Sequence, residues 1–192
     1  MDWKEYIEKA KVTESHIEQL NINEDFLIAA LRLNNFSAEV LDAIKKLAFY
    51  NNPKKLEEQI DQLLKDVHLE LELLQTYRGN PEICLYGGEA PKPDVNTRIA
   101  HSLIGLITEA GELSEAFEKG ILSGKFDEVN LKEEFFDMDW YKAIGTDELG
   151  IGWDEGWQNN IDKLMARYNG SYSDQAATNR NIELERGVLE NE

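Results

Sequence analysis

Four acidic residues stand at spacings that suit a shared chemical task. Glu109 and Glu112 are three residues apart in a stretch of helical periodicity, and Glu134 and Asp137 are three apart in the next. Positions three or four apart share a helix face, so each pair projects from one side of its helix. A turn between the segments folds them back on each other, and the small pair Ala110-Gly111 is expected to admit the close approach that brings the four carboxylates together. Two unit charges about 4 Å apart repel by on the order of 4 kcal/mol at an effective dielectric near 20. Such a cluster needs protons or a cation. Carboxylate oxygens without His or Cys select Mg²⁺, Mn²⁺ or Ca²⁺, and Mg²⁺ characteristically keeps positions open for water and phosphate oxygens. The apolar neighbours Leu106, Leu113, Phe117, Leu131, Phe135 and Met138 place the acids at the edge of a bundle interior.

Other residues weigh for and against this reading. The same three-residue step occurs at Glu5/Glu8 and Glu115/Glu118, so what singles out the four acids is two pairs on consecutive helices. A di-iron carboxylate bundle wants Glu-x-x-His pairs. His16, His68 and His101 are instead preceded at that spacing by Thr13, Lys65 and Arg98. His101 reads as a packed or substrate-edge histidine. Trp140 and Tyr141 read as core more readily than as a base-stacking platform. Trp153 and Trp157, four apart, read as packing of the bundle or of a subunit contact.

The elements that must position these residues are all helical. Apolar residues recur at steps of three and four, as in Leu56, Ile60, Leu63, Leu64 and Val67, and no stretch alternates as a strand. Helices are predicted near 2–20, 25–34, 38–50, 53–78, 96–120, 128–145, 154–168 and 173–186. The expected fold is an all-α antiparallel helical bundle. Three of the four prolines, Pro81, Pro91 and Pro93, fall with Gly79, Gly87 and Gly88 inside 79–95, which marks a linker between an N-terminal unit, 1–78, and a second unit, 96–192. Leu31 to Lys46 laid on Ile104 to Lys119 matches Leu33/Leu106, Glu39/Glu112, Ala43/Ala116 and Lys46/Lys119, so the two units read as related helical hairpins.

Composition narrows the partners. Thirty-eight acids against 20 Lys plus Arg give a formal charge of −18, and no Lys/Arg-rich run occurs. Nucleic-acid polymers and anionic membrane surfaces would be repelled, whereas small anions held through a metal would not. The lone Cys84 allows no intrachain disulfide and fits a reducing compartment, so the cytoplasm is the expected location. No apolar stretch approaches the roughly 20 residues of a bilayer span, and the amino terminus opens directly into charged helical sequence.

Gly105-Leu106-Ile107-Thr108-Glu109-Ala110-Gly111-Glu112-Leu113, followed by Glu133-Glu134-Phe135-Phe136-Asp137, resembles the all-α nucleotide pyrophosphohydrolases, the MazG-like and dimeric dUTPase superfamily. Asn160-Ile161-Asp162-Lys163-Leu164-Met165-Ala166-Arg167 is similar to that family's phosphate-contacting helix, and 176–186 to the tail of its phage-type members. Thr108 stands where many members carry a further glutamate, and Asn169-Gly170 replaces a common proline. In the first hairpin Phe36 stands where Glu109 stands in the second, so that copy looks degraded. Its second helix aligns either Glu58 and Asp61 or Gln59 and Gln62 with the acids.

The resemblance implies hydrolysis of a nucleoside triphosphate to monophosphate and pyrophosphate, in the service of nucleotide-pool house-cleaning. Glu109, Glu112, Glu134 and Asp137 would hold roughly one to three Mg²⁺ ions, with Mn²⁺ as a substitute, and Glu109 would position the attacking water. Lys163 and Arg167, four apart, would contact phosphate oxygens, with Asn160 and Arg180 joining the same pocket. Broad dNTP hydrolysis and dUTP-selective hydrolysis both stay open, as do a homodimer and a self-sufficient pseudo-dimer. The reading from another class is a non-catalytic helical binding or assembly module.

Overall fold

The computed structural model describes residues 1–50, 56–76 and 92–190. These form eight α-helices and no strand: α1 (Trp3–Val12), α2 (Glu24–Tyr50), α3 (Leu56–Thr76), α4 (Thr97–Ser123), α5 (Glu128–Glu148), α6 (Trp153–Tyr168), α7 (Asp174–Thr178) and α8 (Ile182–Glu190). The chain is all-α, as its periodicity predicts. None of the described helices is long and apolar enough to cross a membrane. Most of the expected linker, including Cys84, Pro81 and Pro91, lies outside the described residues.

Three boundaries differ from the sequence expectation. The helix expected over 2–20 stops at Val12, where Thr13 turns its hydroxyl onto the Ala10 carbonyl at 3.0 Å and the Glu14 carboxylate is drawn onto Arg98 at 2.7 and 2.9 Å. The predicted break between 25–34 and 38–50 is absent, and α2 runs unbroken for 27 residues. Asn34-Asn35-Phe36-Ser37 contains neither Pro nor Gly, and Ser37 donates back to the Leu33 carbonyl at 3.2 Å, a bond made inside a helix. The helix expected over 173–186 is two, α7 and α8. They part at 179–181, where the Asn181 side chain accepts from Leu184 N–H at 3.1 Å and starts α8.

The described residues gather into two compact units that interleave along the chain. One comprises Met1–Gln19 and Asp94–Gln158, the other Leu20–Pro93 and Asn159–Glu192. The division expected at 79–95 would instead have kept all of 1–78 together. The reason is α1, which packs on α5 of the later hairpin. Trp140 donates its indole N–H to Thr13 Oγ1 at 3.0 Å, Lys11 pairs with Asp147 at 3.3 Å, and Trp3 lies against Trp153. All four tryptophans fall in this unit.

Within it α4 and α5 form an antiparallel hairpin. Asn96 caps α4 by accepting from the Arg98 and Ile99 N–H groups, and Asp127 caps α5 by accepting from Val129 and Asn130. Gly124, at φ 70°, takes the left-handed conformation that ends α4. Arg98 then clamps the open end of the hairpin, bonding Glu14, Asp147 at 3.0 Å and Glu148 at 2.6 Å. The expected close approach at Ala110-Gly111 is not where the helices touch, since a Cβ on Gly111 would meet nothing within 4 Å. They meet at Gly105, where a Cβ would lie 2.0 Å from the Tyr141 ring. One turn earlier Ser102 donates to the Tyr141 carbonyl at 2.7 Å.

In the other unit α2 and α3 form a second hairpin of the same dimensions. α2 and α4 are each 27 residues long, and Thr97 and Ser123 stand 73 residues after Glu24 and Tyr50. The described part of α3 and α5 each have 21 residues. Arg32, which by the same 73-residue offset stands at the place of Gly105, bonds the buried Glu70 of α3 at 3.1 Å.

Candidate functional site

The register of the second hairpin brings three acids together. Glu109 and Glu112 from α4 and Glu134 from α5 each offer a carboxylate oxygen, and these atoms all lie within 4.8 Å of one another. Glu134 is buried at 5 % exposure, Glu109 is half-buried and Glu112 is exposed. Asn130, one turn before Glu134, donates its amide to Glu134 Oε1 at 2.5 Å and holds that carboxylate against the hairpin. Asp137 stands exposed one turn beyond Glu134, beside this group of three, and its charge reaches Glu109 and Tyr141.

The electrostatics follow from that crowding. The Glu109 carboxyl titrates above the ordinary carboxylate range, first through burial, then through the charges of Glu112, Asp137 and Glu134 and a hydrogen bond with Glu134. The Tyr141 phenol is likewise raised, by burial and by Glu109, Asp137 and Glu112. From α1, Tyr6 reaches the Phe136 carbonyl at 3.5 Å, and its phenol is raised by burial and by Asp139 and Asp137. A site whose neighbouring charges raise the proton affinity of Glu109 is one that a divalent cation would relieve, and an all-oxygen donor set suits Mg²⁺ or Mn²⁺. The residues present fit such an ion.

The flanking aromatics pack. His101 makes edge contacts with Trp140 and Tyr141 at 5.7 and 5.6 Å between ring centres, and Trp153 donates to Thr146 at 3.1 Å. The apolar frame of the acids is partly open, since Phe117 and Phe135 are exposed.

Asn160, Lys163, Arg167 and Arg180 belong to the other unit. Asn160 is exposed and Lys163 half-buried. Arg167 and Arg180 both grip one carboxylate, that of Glu185 on α8, which is buried at 3 % exposure. Arg167 places Nε at 2.9 Å and Nη2 at 2.5 Å, and Arg180 places the same atoms at 3.1 and 2.5 Å. These bonds hold the Glu185 carboxyl down to about 2. The family-like stretch 176–186 includes Glu185 without giving it a role, and Asn130 stands outside every motif. The latter carried a local signal, an amide four residues before an acid on one helix face.

Among the described residues no second acid cluster of this kind occurs in the first hairpin. The 73-residue offset of α2 from α4 places Phe36 and Glu39 at the positions of Glu109 and Glu112. Nearby, a groove of about 440 Å³ is lined by Asn35, Ala38, Glu39, Asp42, Lys46 and Gln59 among others. Asp42 is held there by Lys45 and Lys46.

No known protein family, curated protein or solved structure matches the chain.

Proposed function

We propose that this chain is an Mg²⁺-dependent nucleoside triphosphate pyrophosphohydrolase, converting a (d)NTP to the (d)NMP and pyrophosphate as a nucleotide-pool house-cleaning enzyme of the cytoplasm. The observation that carries the reading is the convergence of Glu109, Glu112 and Glu134 within 4.8 Å across an antiparallel hairpin. It agrees with the sequence resemblance to the MazG-like superfamily. With Asp137 one turn away, these acids form the set that would hold the ion. Bound Mg²⁺, or Mn²⁺ in its place, supplies polarisation of the phosphate oxygens and a more acidic water.

The chain's own residues do the rest. Glu109, whose carboxyl has a raised proton affinity, accepts the proton of the attacking water. Asn130 keeps Glu134 oriented. Lys163 and Arg167, with Asn160 and Arg180, are the residues that the resemblance assigns to the phosphate groups, where they would provide donors and positive charge. The substrate range is either broad or dUTP-selective, which a nucleotide panel decides.

One observation favours a reading from another class. Leu103, Phe117 and Ile121 on α4 and Phe135 and Phe136 on α5 are exposed, as an assembly module or a homodimer would have them. A panel of nucleoside triphosphates with Mg²⁺ separates the two readings. The enzyme reading expects equimolar monophosphate and pyrophosphate from at least one nucleotide, and a loss of about 100-fold or more in Glu112→Gln. No pyrophosphate from any nucleotide, with Glu112→Gln indistinguishable from the parent, leaves the module.

A further inference from the structure

Two guanidinium groups directed at one carboxylate make an oxyanion cradle already filled from within. Arg167 and Arg180 approach Glu185 in the same way, each laying its Nε and Nη2 edge along both carboxylate oxygens, so four charge-assisted hydrogen bonds converge on one buried anion. The planar fork of arginine matches phosphate oxygens as well as it matches a carboxylate. The charges do not balance, however. Among the described contacts of the clasp, two cations face one anion, in a chain of formal charge −18. A phosphoryl group, with about two negative charges, would neutralise both arginines where Glu185 neutralises one. The cradle is also accessible from one side. The Arg180 side chain is 48 % exposed, against 14 % for Arg167 and 4 % for Glu185.

The element that supplies Glu185 is suited to withdrawal. α8 has nine residues, Ile182–Glu190, and of these only Glu185 is buried. Ile182, Leu184 and Leu189 are exposed, so few apolar contacts hold the helix down.

We infer that Arg167 and Arg180 form a phosphate-binding cradle in which Glu185 is an internal competitor, so that α8 must release its carboxylate before a di- or polyphosphate group can enter. This rests on the reading above only in taking the natural anion to be the phosphate tail of a nucleotide. It adds a gate. A ligand must displace Glu185, and its apparent affinity falls by the fraction of time the cradle is open.

The test uses the full chain, inorganic pyrophosphate as the probe, and chelator throughout so that no hydrolysis enters. If Glu185 fills the cradle at least about nine-tenths of the time, Glu185→Gln tightens pyrophosphate binding about tenfold or more by calorimetry. That gain is expected to vanish when Arg167→Ala and Arg180→Ala are added. A purely structural Glu185 predicts a less stable protein with unchanged pyrophosphate affinity, and that result, in a variant folded by circular dichroism, overturns the inference. If Glu185→Gln does not fold, hydrogen exchange on the parent protein decides. Millimolar pyrophosphate should speed exchange across 182–190, and unaltered protection there rejects the gate. Turnover with metal is measured separately, so a chain that hydrolyses no nucleotide yet gains pyrophosphate affinity in Glu185→Gln loses the enzyme reading and keeps this one.

Discussion

Replacing Glu134 by Gln should make the metal-free protein more stable while removing its response to Mg²⁺. The carboxylate oxygens of Glu109, Glu112 and Glu134 lie within 4.8 Å of one another, so each ionised pair repels by about 3.5 kcal/mol at an effective dielectric of 20 and about 0.9 kcal/mol in bulk water. Glu112 is exposed, which moves the expectation towards the lower figure. Glutamine keeps an oxygen for the Asn130 amide and removes two repulsive pairs. We expect a gain of about 1–2 kcal/mol, or about 2–8 °C in Tm for a chain of this length. The parent protein at 100 times the dissociation constant of Mg²⁺ should gain about 2.7 kcal/mol, or about 5–10 °C. Thermal unfolding followed by far-ultraviolet circular dichroism, with chelator and then with millimolar Mg²⁺, measures both. A Glu134→Gln protein that melts below the parent in chelator, together with a parent melt unmoved by Mg²⁺, would refute the account of the cluster.

Further outcomes follow from the same geometry. Because the Glu109 carboxyl is raised in the folded state, the folded protein holds a proton that the unfolded chain has released. Stability in chelator should therefore fall as pH rises from the usual glutamate range through the raised value, and Glu109→Gln should flatten that part of a urea-unfolding series. Glu185 has the opposite sign. Its stabilisation is full above the unfolded value of 4.5 and is lost as pH falls towards about 2, a component on the order of 3 kcal/mol that Glu185→Gln should lack. Arg98→Ala strands the Glu14 carboxylate, whose side chain is only 1 % exposed, and should cost about 3–5 kcal/mol in a denaturant titration. A loss under about 1 kcal/mol would mean that the Arg98–Glu14 pair adds little to the hold on α1.

Much of this arrangement is legible in the residue order, and the failures have physical causes. The period of three and four gives the helices, and the step from Glu109 to Glu112 and from Glu134 to Asp137 points to the hairpin whose acids meet. Helix ends are less legible, because they depend on partners far along the chain. α1 ends where Glu14 is drawn to Arg98, 84 residues away. The point of close approach was misread because smallness alone marks Ala110-Gly111, whereas contact needs a glycine on the facing stripe, and Gly105 is the one opposite Tyr141. The likeness of the two hairpins rests on identities in the first helix of each, whereas in α3 acids and leucines suggest different alignments. The clasp on Arg167 and Arg180 has no local pattern, since it joins α6, the 179–181 turn and α8 through a residue that reads as one more surface acid.

The placement of every indole in the unit of α4 and α5 gives the molecule a selective optical reporter. Emission from Trp3, Trp140, Trp153 and Trp157 reports on the unit of the carboxylate-bearing hairpin, while the peptide chromophore weighs both units alike. Divergence between the two signals during denaturation would distinguish the two units without labels, and would show which yields first.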